Sequence, residues 1–247
     1  MKVKNLKIGS GKPKIAVPIT GSTTDEILKQ LNLILKQNDF DLIEWRIDFW
    51  KQFNDVNEFN YVAQMISEKL EAIPLLITFR SFNEGGQTKL TEEQYAKVIH
   101  NIINCRVADL IDIELMHPKK LILPLIHLAQ NQNIKVIQSY HNFKITPEKS
   151  EMLEKLDQMQ LNHVDIAKIA VMPHTSDDIL NLLEVSNSFH HESNLPLISM
   201  SMGNLGKITR VSGQLFGSCI TFGTVGNSSA PGQINCEILN QFLNTLN

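Results

Sequence analysis

The chain has 247 residues, of which 43% are hydrophobic and 20% are charged, and its formal net charge is -3. This balance is typical of a globular protein with a large core, and it lacks the basic excess expected of a nucleic-acid-binding protein. No apolar run approaches the roughly 20 residues of a membrane span, and the N-terminus has no apolar signal segment, so we expect a cytoplasmic protein.

Short apolar segments typical of strands recur along the chain, and amphipathic segments typical of helices separate most of them. Ahead of the first strand, the turn residues Gly9, Ser10 and Gly11 predict a hairpin within residues 3–14. The predicted strands are 14–20, 42–48, 74–80, 110–115, 135–141, 165–170, 196–202 and 218–225. Eight alternating strand–helix units predict one α/β domain over residues 1–247, a (β/α)8 TIM barrel whose floor the hairpin closes. A doubly wound open sheet is the competing fold, but no GxGxxG turn follows the first strand.

Capping residues predict where several helices begin. Thr91 and Gln94 resemble a capping box, and Thr146 is predicted to cap a helix that starts at Pro147. Residues 231–233 precede the last helix, so the small-residue loop 226–233 is expected to run into a helix N-terminus. Such a helix terminus is a natural seat for an anion.

Charged side chains alternate along the predicted strands and therefore share one face of each strand. Along the second strand these are Glu44, Arg46 and Asp48. The same alternation joins Thr78 to Arg80, Asp112 to Glu114, Ser139 to His141, and Ile166 to Lys168. Helices cover the outside of a barrel, so this face should point into the lumen, near the rim where barrel enzymes carry their sites. The alternative is a purely structural ionic plug, which has no need of a histidine and a lysine.

Lys168 lies in a segment, 164–171, that otherwise predicts a strand buried on both faces. Burial lowers the pKa of a lysine, and this is how proteins make a nucleophilic amine for Schiff-base chemistry. Most strand lysines are instead edge residues that reach water, or halves of structural ion pairs. His141, Arg210 and the glycine-rich segment 84–86 favour the reactive alternative here, because together they predict a cationic pocket with an imidazole.

No metal or cofactor site is indicated by the remaining residues. His190 and His191 are adjacent in a polar helix, and His117 and His163 stand at the ends of elements without ligand partners. The three cysteines are widely spaced and odd in number, which favours reduced core thiols over disulfides or zinc. A phosphate-binding glycine motif of the P-loop type is also absent from the sequence.

Seven motifs in order along the chain resemble those of the type I 3-dehydroquinate dehydratases, and the likeness runs from the hairpin to the last helix. They are EWRID at 44–48, TFR with EGG within 78–86, DIE at 112–114, SYHNF at 139–143, AKIA at 167–170, SMSMG at 199–203 and SAPGQ at 229–233. The resemblance implies a (β/α)8 barrel, which agrees with the fold predicted from the strand pattern. It also implies a cofactor-free, cytoplasmic homodimer.

The resemblance implies a syn elimination of water from 3-dehydroquinate, giving 3-dehydroshikimate in the shikimate pathway. Lys168 would form an iminium with the ring ketone. His141, held by Glu84, would remove the neighbouring proton and then protonate the departing hydroxyl. The residues implied to contact substrate are Arg210, Ser229 and Gln233 at the carboxylate, Glu44, Arg46 and Arg80 at the hydroxyls and ring, and Met200, Met202 and Phe222 as an apolar wall.

One position departs from the pattern, and two other functions stay open. Many family members carry a serine near the end of strand one that contacts substrate. Pro18 stands there and offers neither a hydroxyl nor an N–H. A class I aldolase would share the barrel and the lysine, but would be expected to carry a phosphate seat. A catalytically silent binding barrel would keep the pocket yet lose Lys168 or His141, and both are present.

Overall fold

The computed structural model describes residues 1–226 and 229–246. The strands are β1 (Lys2–Val3), β2 (Leu6–Lys7), β3 (Lys14–Ile19), β4 (Leu42–Arg46), β5 (Leu75–Thr78), β6 (Leu110–Glu114), β7 (Lys135–Asn142), β8 (Ile166–Val171), β9 (Leu197–Ser201), β10 (Ile220–Thr224) and β11 (Ile234–Asn235). The helices are α1 (Thr24–Ile34), α2 (Val56–Leu70), α3 (Glu92–Cys105), α4 (Lys119–Asn131), α5 (Lys149–Leu161), α6 (Ser176–Glu192), α7 (Lys207–Val211), α8 (Gly213–Phe216) and α9 (Cys236–Thr245). Among these described elements, no helix combines the length and the apolar character that crossing a membrane demands.

The strands from β3 to β10 form a parallel sheet in chain order, with β10 hydrogen-bonded to β3. The remaining edge closes between β9 and β10. There the backbone N–H of Cys219 donates to the carbonyl oxygen of Leu197 at 2.7 Å, and Leu197 bridges to Ser218. Each predicted strand segment corresponds to one barrel strand, so the predicted (β/α)8 barrel is confirmed. A short strand that the sequence did not reveal, β11, pairs with β10 in parallel.

The N-terminal hairpin is present, but its predicted turn is wrong. β1 and β2 pair so that Val3 lies opposite Leu6, which leaves only Lys4 and Asn5 in the turn. Lys4 has a φ of 47° there, a left-handed conformation suited to a two-residue hairpin. Gly9 and Gly11, with φ of 85° and 71°, instead shape the connection from the hairpin to β3. The turn was misplaced because glycines signal positive φ more strongly than the lysine that adopts it.

Strand alternation divides the apolar core in two. Outward-facing residues such as Ile43 and Trp45 pack against the helices, whereas a smaller cluster fills the barrel from below. We call the lower part of this cluster the floor layer. Its members are Val3, Ile8, Ala16, Leu42, Leu76, Leu110, Ile137, Ile166, Ile198, Cys219 and Ile220; Ala170, Met200 and Phe222, at the top of the same cluster, face a cavity and are not counted in this layer. Because Val3 and Ile8 come from the hairpin region, the prediction that this segment closes the barrel floor is confirmed.

The predicted helix starts have mixed outcomes. The capping box of Thr91 and Gln94 is present at α3. α5, however, begins at Lys149 rather than Pro147, and the Thr146 hydroxyl donates to the carbonyl oxygen of Met172, the residue after β8. That tertiary hydrogen bond takes the side chain that was predicted to cap the helix.

The last helix begins later than predicted, which removes the predicted anion seat. α9 starts at Cys236 after β11, and the Asn235 side chain accepts the backbone N–H of Glu237 at 3.0 Å. The loop 226–233 therefore does not run directly into a helix N-terminus, and Asn227 and Ser228 of this loop lie outside the described residues. Short strands such as β11 escape sequence patterns because two residues carry no periodicity.

Candidate active site

A cavity at the carboxyl ends of the strands brings together all of the side chains that the sequence predicted to act on a substrate. Lys168, His141 and Glu84 contribute to its wall, as do the predicted substrate-binding residues Glu44, Arg46, Arg80, Arg210, Ser229, Gln233, Met200, Met202 and Phe222. Four further lining residues had no predicted role: Gly85, Phe143, Ala170 and Ala230. Pro18, buried in β3, is not part of this lining.

Lys168 projects from the middle of β8 into the cavity, and its side chain is almost wholly buried. Its Nζ lies 3.5 Å from Oδ2 of Asp112 and 4.5 Å from the centre of the Phe222 ring. Burial lowers the pKa of this amine, and the nearby cations Arg80 and Arg46 lower it further, against the attraction of Asp112 and Glu44. A larger share of Lys168 is therefore the uncharged, nucleophilic amine at neutral pH than for an exposed lysine.

His141 stands near the end of the neighbouring strand, β7, and is held by Glu84. Its Nδ1 lies 2.9 Å from Oε2 of Glu84, and its backbone N–H donates to the same oxygen at 3.1 Å. Nη1 of Arg80 approaches that oxygen as well, at 3.5 Å. Because Oε2 is surrounded by donors, we infer that Nδ1 carries the proton. The Nε2 lone pair of His141 is then free to act as a base.

The surroundings of the His141–Glu84 pair keep the imidazole of His141 uncharged. Burial lowers the pKa of His141 well below its usual value, and the cations Arg80, Lys168 and Arg46 add to that effect. Burial, together with repulsion from Glu114, raises the pKa of Glu84 well above its usual value. Both directions oppose a separated imidazolium–carboxylate pair, so neutral imidazole is the resting form of His141 at neutral pH.

Arg80 links this pair to a set of acids that the sequence placed in the lumen but to which it gave no role. Its Nη2 donates to Asp112 Oδ2 at 2.7 Å, and its Nη1 donates to Glu114 Oε1 at 2.9 Å and Ser139 Oγ at 2.8 Å. Burial alone would lower the pKa of Arg80, but attraction to Asp112, Glu114 and Glu84 outweighs it and raises the pKa. Strand alternation was the available signal for these residues, because they share a face with His141 and Lys168.

The two predicted hydroxyl-binding residues of β4 are also fixed by partners. Arg46 forms a bidentate pair with Asp48, through Nε at 2.8 Å and Nη2 at 2.9 Å. Glu44 accepts the hydroxyl of Thr78 at 2.8 Å. Both side chains are thereby held in one orientation while they still contribute to the cavity wall. A polar substrate would meet groups that are already positioned.

Arg210 differs from the other buried cations because no carboxylate pairs with it in the described part of the chain. It comes from α7, is 1% exposed, and donates through Nη2 to the carbonyl oxygen of Pro231 at 3.1 Å. Burial lowers the pKa of this guanidinium to about 10, which leaves it charged at neutral pH. A buried cation whose partners among the described residues are all neutral is suited to an anionic ligand, and a carboxylate can pair with both arms of its guanidinium.

Beside Arg210, the loop before β11 closes one side of the cavity. The backbone N–H of Ser229 donates to Oε1 of Gln233 at 2.8 Å, and the Gln233 amide donates to Oγ of Ser229 at 3.0 Å. Met200, Met202 and Phe222 are all buried and form the apolar part of the wall. The cavity thus combines a buried cation without a described carboxylate partner, an apolar wall and a buried lysine.

Such a constellation defines an α/β-barrel enzyme built around a buried lysine and a histidine–carboxylate pair. Comparison with known proteins agrees: a sequence model described as type I 3-dehydroquinase matches residues 15–247. The chain belongs to the type I 3-dehydroquinase family and is an enzyme of the hydro-lyase class.

Relatives of the chain match it over nearly their whole length. The 3-dehydroquinate dehydratase of Enterococcus faecalis is 41% identical over 244 residues, which are 98% of this chain and 96% of the relative. A crystal structure of the type I enzyme of Clostridium difficile, with covalently modified comenic acid, has a TM-score of 0.96 at 40% identity and covers 100% of this chain and 97% of its own. The enzyme of Geobacillus kaustophilus has the same TM-score, 0.96, at 35% identity, with coverages of 100% and 95%.

Proposed function

We propose that this family member dehydrates 3-dehydroquinate to 3-dehydroshikimate through a Schiff base on Lys168, as a step of the shikimate pathway. One observation carries the proposal. A buried lysine of lowered pKa and a neutral histidine held by a carboxylate line one cavity. The names of the relatives supply the substrate, since the Enterococcus faecalis protein is a 3-dehydroquinate dehydratase.

The first step is imine formation. The neutral amine of Lys168 attacks the carbon of the ring ketone, and the oxygen of that ketone leaves as water after taking one proton from the amine and one from solvent, so that an iminium ion remains. Asp112, whose Oδ2 lies 3.5 Å from Nζ, can balance the positive charge of the iminium. The face of the Phe222 ring, 4.5 Å from Nζ, adds a weaker attraction for a cation.

The second step is elimination. The iminium withdraws electrons and acidifies the C–H bond on the adjacent carbon, from which Nε2 of His141 takes a proton, giving an enamine. The enamine electrons then expel the hydroxyl from the next carbon, and the imidazolium returns the same proton to the departing oxygen. One group that serves as base and then as acid requires both leaving atoms on one face of the ring, which is a syn elimination. Water finally hydrolyses the conjugated iminium and restores the lysine.

The remaining residues orient the ring. Arg210, which lacks a carboxylate partner among the described residues, would take the substrate carboxylate. Glu44 and Arg46, each held by a neighbour, would contact ring hydroxyls, and the two methionines would keep bulk water from the iminium. The chemistry needs neither a metal nor an organic cofactor, because the iminium itself is the electron sink. The family resemblance also supports one domain over residues 1–247 and a cytoplasmic homodimer.

The decisive test traps the imine. The protein is mixed with 3-dehydroquinate, reduced with borohydride and digested, and the peptides are analysed by mass spectrometry, while Lys168→Met serves as the matched control. We expect an adduct on the peptide containing Lys168, none on the control, and formation of 3-dehydroshikimate by absorbance in unreduced samples. A folded wild-type protein that gives neither adduct nor product would leave a silent binding barrel as the better description.

A further inference from the structure

His117 lies between β6 and α4, outside the cavity, and both nitrogens and one face of its ring have partners. Its Nδ1 lies 2.6 Å from Glu92 Oε2, and its Nε2 lies 2.9 Å from Glu114 Oε2. The ring of His117 stacks on Tyr95, with 3.6 Å between the ring centres. An ionised carboxylate can only accept hydrogen bonds. A histidine that bridges two ionised carboxylates must therefore donate from both nitrogens, so the ring of His117 is an imidazolium.

Glu114 connects this imidazolium to the active site. While Oε2 of Glu114 faces His117, Oε1 accepts Nη1 of Arg80 at 2.9 Å and the backbone N–H of Ser81 at 2.8 Å. The same Nη1 of Arg80 lies 3.5 Å from Oε2 of Glu84, the oxygen that holds His141. Ser81 also precedes the 3-10 turn Phe82–Glu84 that carries Glu84. Glu114 therefore acts on both the position and the charge of the His141–Glu84 pair.

Charged groups surround both His117 and His141. His117 faces Glu92 and Tyr95 from α3 and Glu114 from β6. Burial would lower the pKa of His117, but its bonds to Glu114 and Glu92 outweigh this and raise the pKa. His141 faces Glu84 and the cations Arg80, Lys168 and Arg46. Glu114 is 1% exposed, so without His117 its charge would rest on Arg80 and the N–H of Ser81.

We propose that His117 is a positioning residue for the dehydration: as an imidazolium it neutralises Glu114 and so lets Arg80 remain shared with Glu84, which holds His141. This inference rests on the proposed function, because it acts through His141 as the base. If the His117 cation is lost, Arg80 is drawn towards Glu114, and the surroundings of His141 become more negative. An imidazolium at His141 is then favoured, which raises the pKa of the base.

The experiment compares three variants with the wild type. His117→Phe keeps a ring on Tyr95 but removes both the charge and the bonds. His117→Gln keeps a donor for Glu114 without the charge. His100→Gln is the matched control, because His100 is exposed on α3 and its side chain hydrogen-bonds to Asn104, away from Glu114, in the described part of the chain. The readouts are kcat and KM for 3-dehydroquinate across pH, the melting temperature, and the pKa of His141 from NMR titration of nitrogen-15-labelled histidines.

For His117→Phe we expect kcat to fall about tenfold with KM changed less than about twofold, since Arg80 keeps its bonds to Asp112 and Ser139 and the main change falls on the base His141. The pKa of His141, and the acid limb of kcat with it, should rise by about half a pH unit. His117→Gln should show the same pKa change with a smaller loss of kcat, and His100→Gln should match the wild type.

Two results would overturn the inference: wild-type kcat and an unmoved His141 pKa in His117→Phe, or a loss of kcat that follows the melting temperature while that pKa stays fixed. The second result would make His117 a structural residue only. Failure of the proposed function is distinct, because the wild type itself would then give no turnover. The NMR titration needs no substrate and so reports on His117 in either case.

Discussion

The two ends of the barrel are built from the same strands and the same inward face, yet they differ in chemistry. On β6, Leu110 belongs to the apolar floor layer, whereas Asp112 and Glu114, two and four residues later on that face, carry charge. On β8, Ile166 lies in the floor layer and Lys168 lies in the cavity wall. The position of a residue along the strand, rather than the face on which it lies, decides whether it belongs to the stabilising floor layer or to the reactive rim.

The apolar end of the lumen stabilises the fold, whereas the charged end performs the chemistry. Each large apolar side chain of the floor layer contributes about 1.5–3 kcal/mol by leaving water. At the rim, burial of charge is unfavourable, and the interlocking bonds of Arg80 with Asp112, Glu114 and Ser139 offset it. The stabilisation from the floor layer therefore offsets the burial of charged groups at the rim, where that burial shifts their pKa values.

The largest effect is expected at the rim. Lys168→Met keeps the length of the side chain and its packing on Phe222, but it removes the amine. Turnover of 3-dehydroquinate should fall below detection, because without an iminium the C–H bond is not acidified. The melting temperature should stay close to that of the wild type, because a buried amine is replaced by an apolar group of similar volume and Asp112 keeps its bonds to Arg80 and Ser139. Assays of product absorbance and thermal unfolding check both statements, and substantial residual turnover would break the assignment of chemistry to Lys168.

His141→Ala separates imine formation from elimination. We expect kcat to fall by roughly 10²–10⁴-fold, the usual contribution of a general acid–base group. The Lys168 amine is intact in this variant, so the Schiff base should still form and accumulate. Intact-mass measurement after borohydride reduction would show the trapped adduct; turnover at the wild-type rate would identify a different base.

Leu110→Ala tests the floor on the same strand face as Asp112. The substitution should lower the free energy of unfolding by about 2–5 kcal/mol, because it removes buried methyl groups and leaves a cavity. Urea denaturation measures this loss, and kcat measured well below the new melting temperature should change less than about twofold. A fall in kcat without a fall in stability would contradict the separation of floor from rim.

The smallest effect is the placement of the acid limb in the pH profile. Burial lowers the pKa of His141 well below its ordinary value of 6.5, so this base stays neutral at pH values where a free histidine is protonated. kcat reports the enzyme–substrate complex, in which the Lys168 amine is already part of the imine, so kcat should hold as the pH falls past 6.5 and decline only as it passes the lower pKa of His141. Below pH 6.5 the unfolded chain binds a proton that folded His141 does not, so stability should decrease with falling pH in that range. An acid limb of kcat at or above pH 6.5 would show that the rim leaves His141 unperturbed.

Sequence patterns were reliable where one local rule decides the structure. The eight barrel strands, the capping box at Thr91 and the inward face of Glu44, Arg46 and Lys168 all follow from short-range periodicity. The patterns failed where a tertiary contact competes with a local one. Thr146 bonds to Met172 instead of capping α5, and the hairpin turns at Lys4 instead of at the glycines. β11 has only two residues and is too short to produce a recognisable sequence pattern.

The sequence alone is enough to predict an α/β barrel and the ionisable side chains that enter its lumen, because alternation along a strand is a property of the backbone. The positions of those side chains relative to one another were decided only by the tertiary structure. The pairing of His141 with Glu84, the sharing of Arg80 among three acids, and the lack of a carboxylate beside Arg210 within the described residues depend on strand register and loop closure. These relations join residues far apart in the chain, and they set the pKa values on which the chemistry depends.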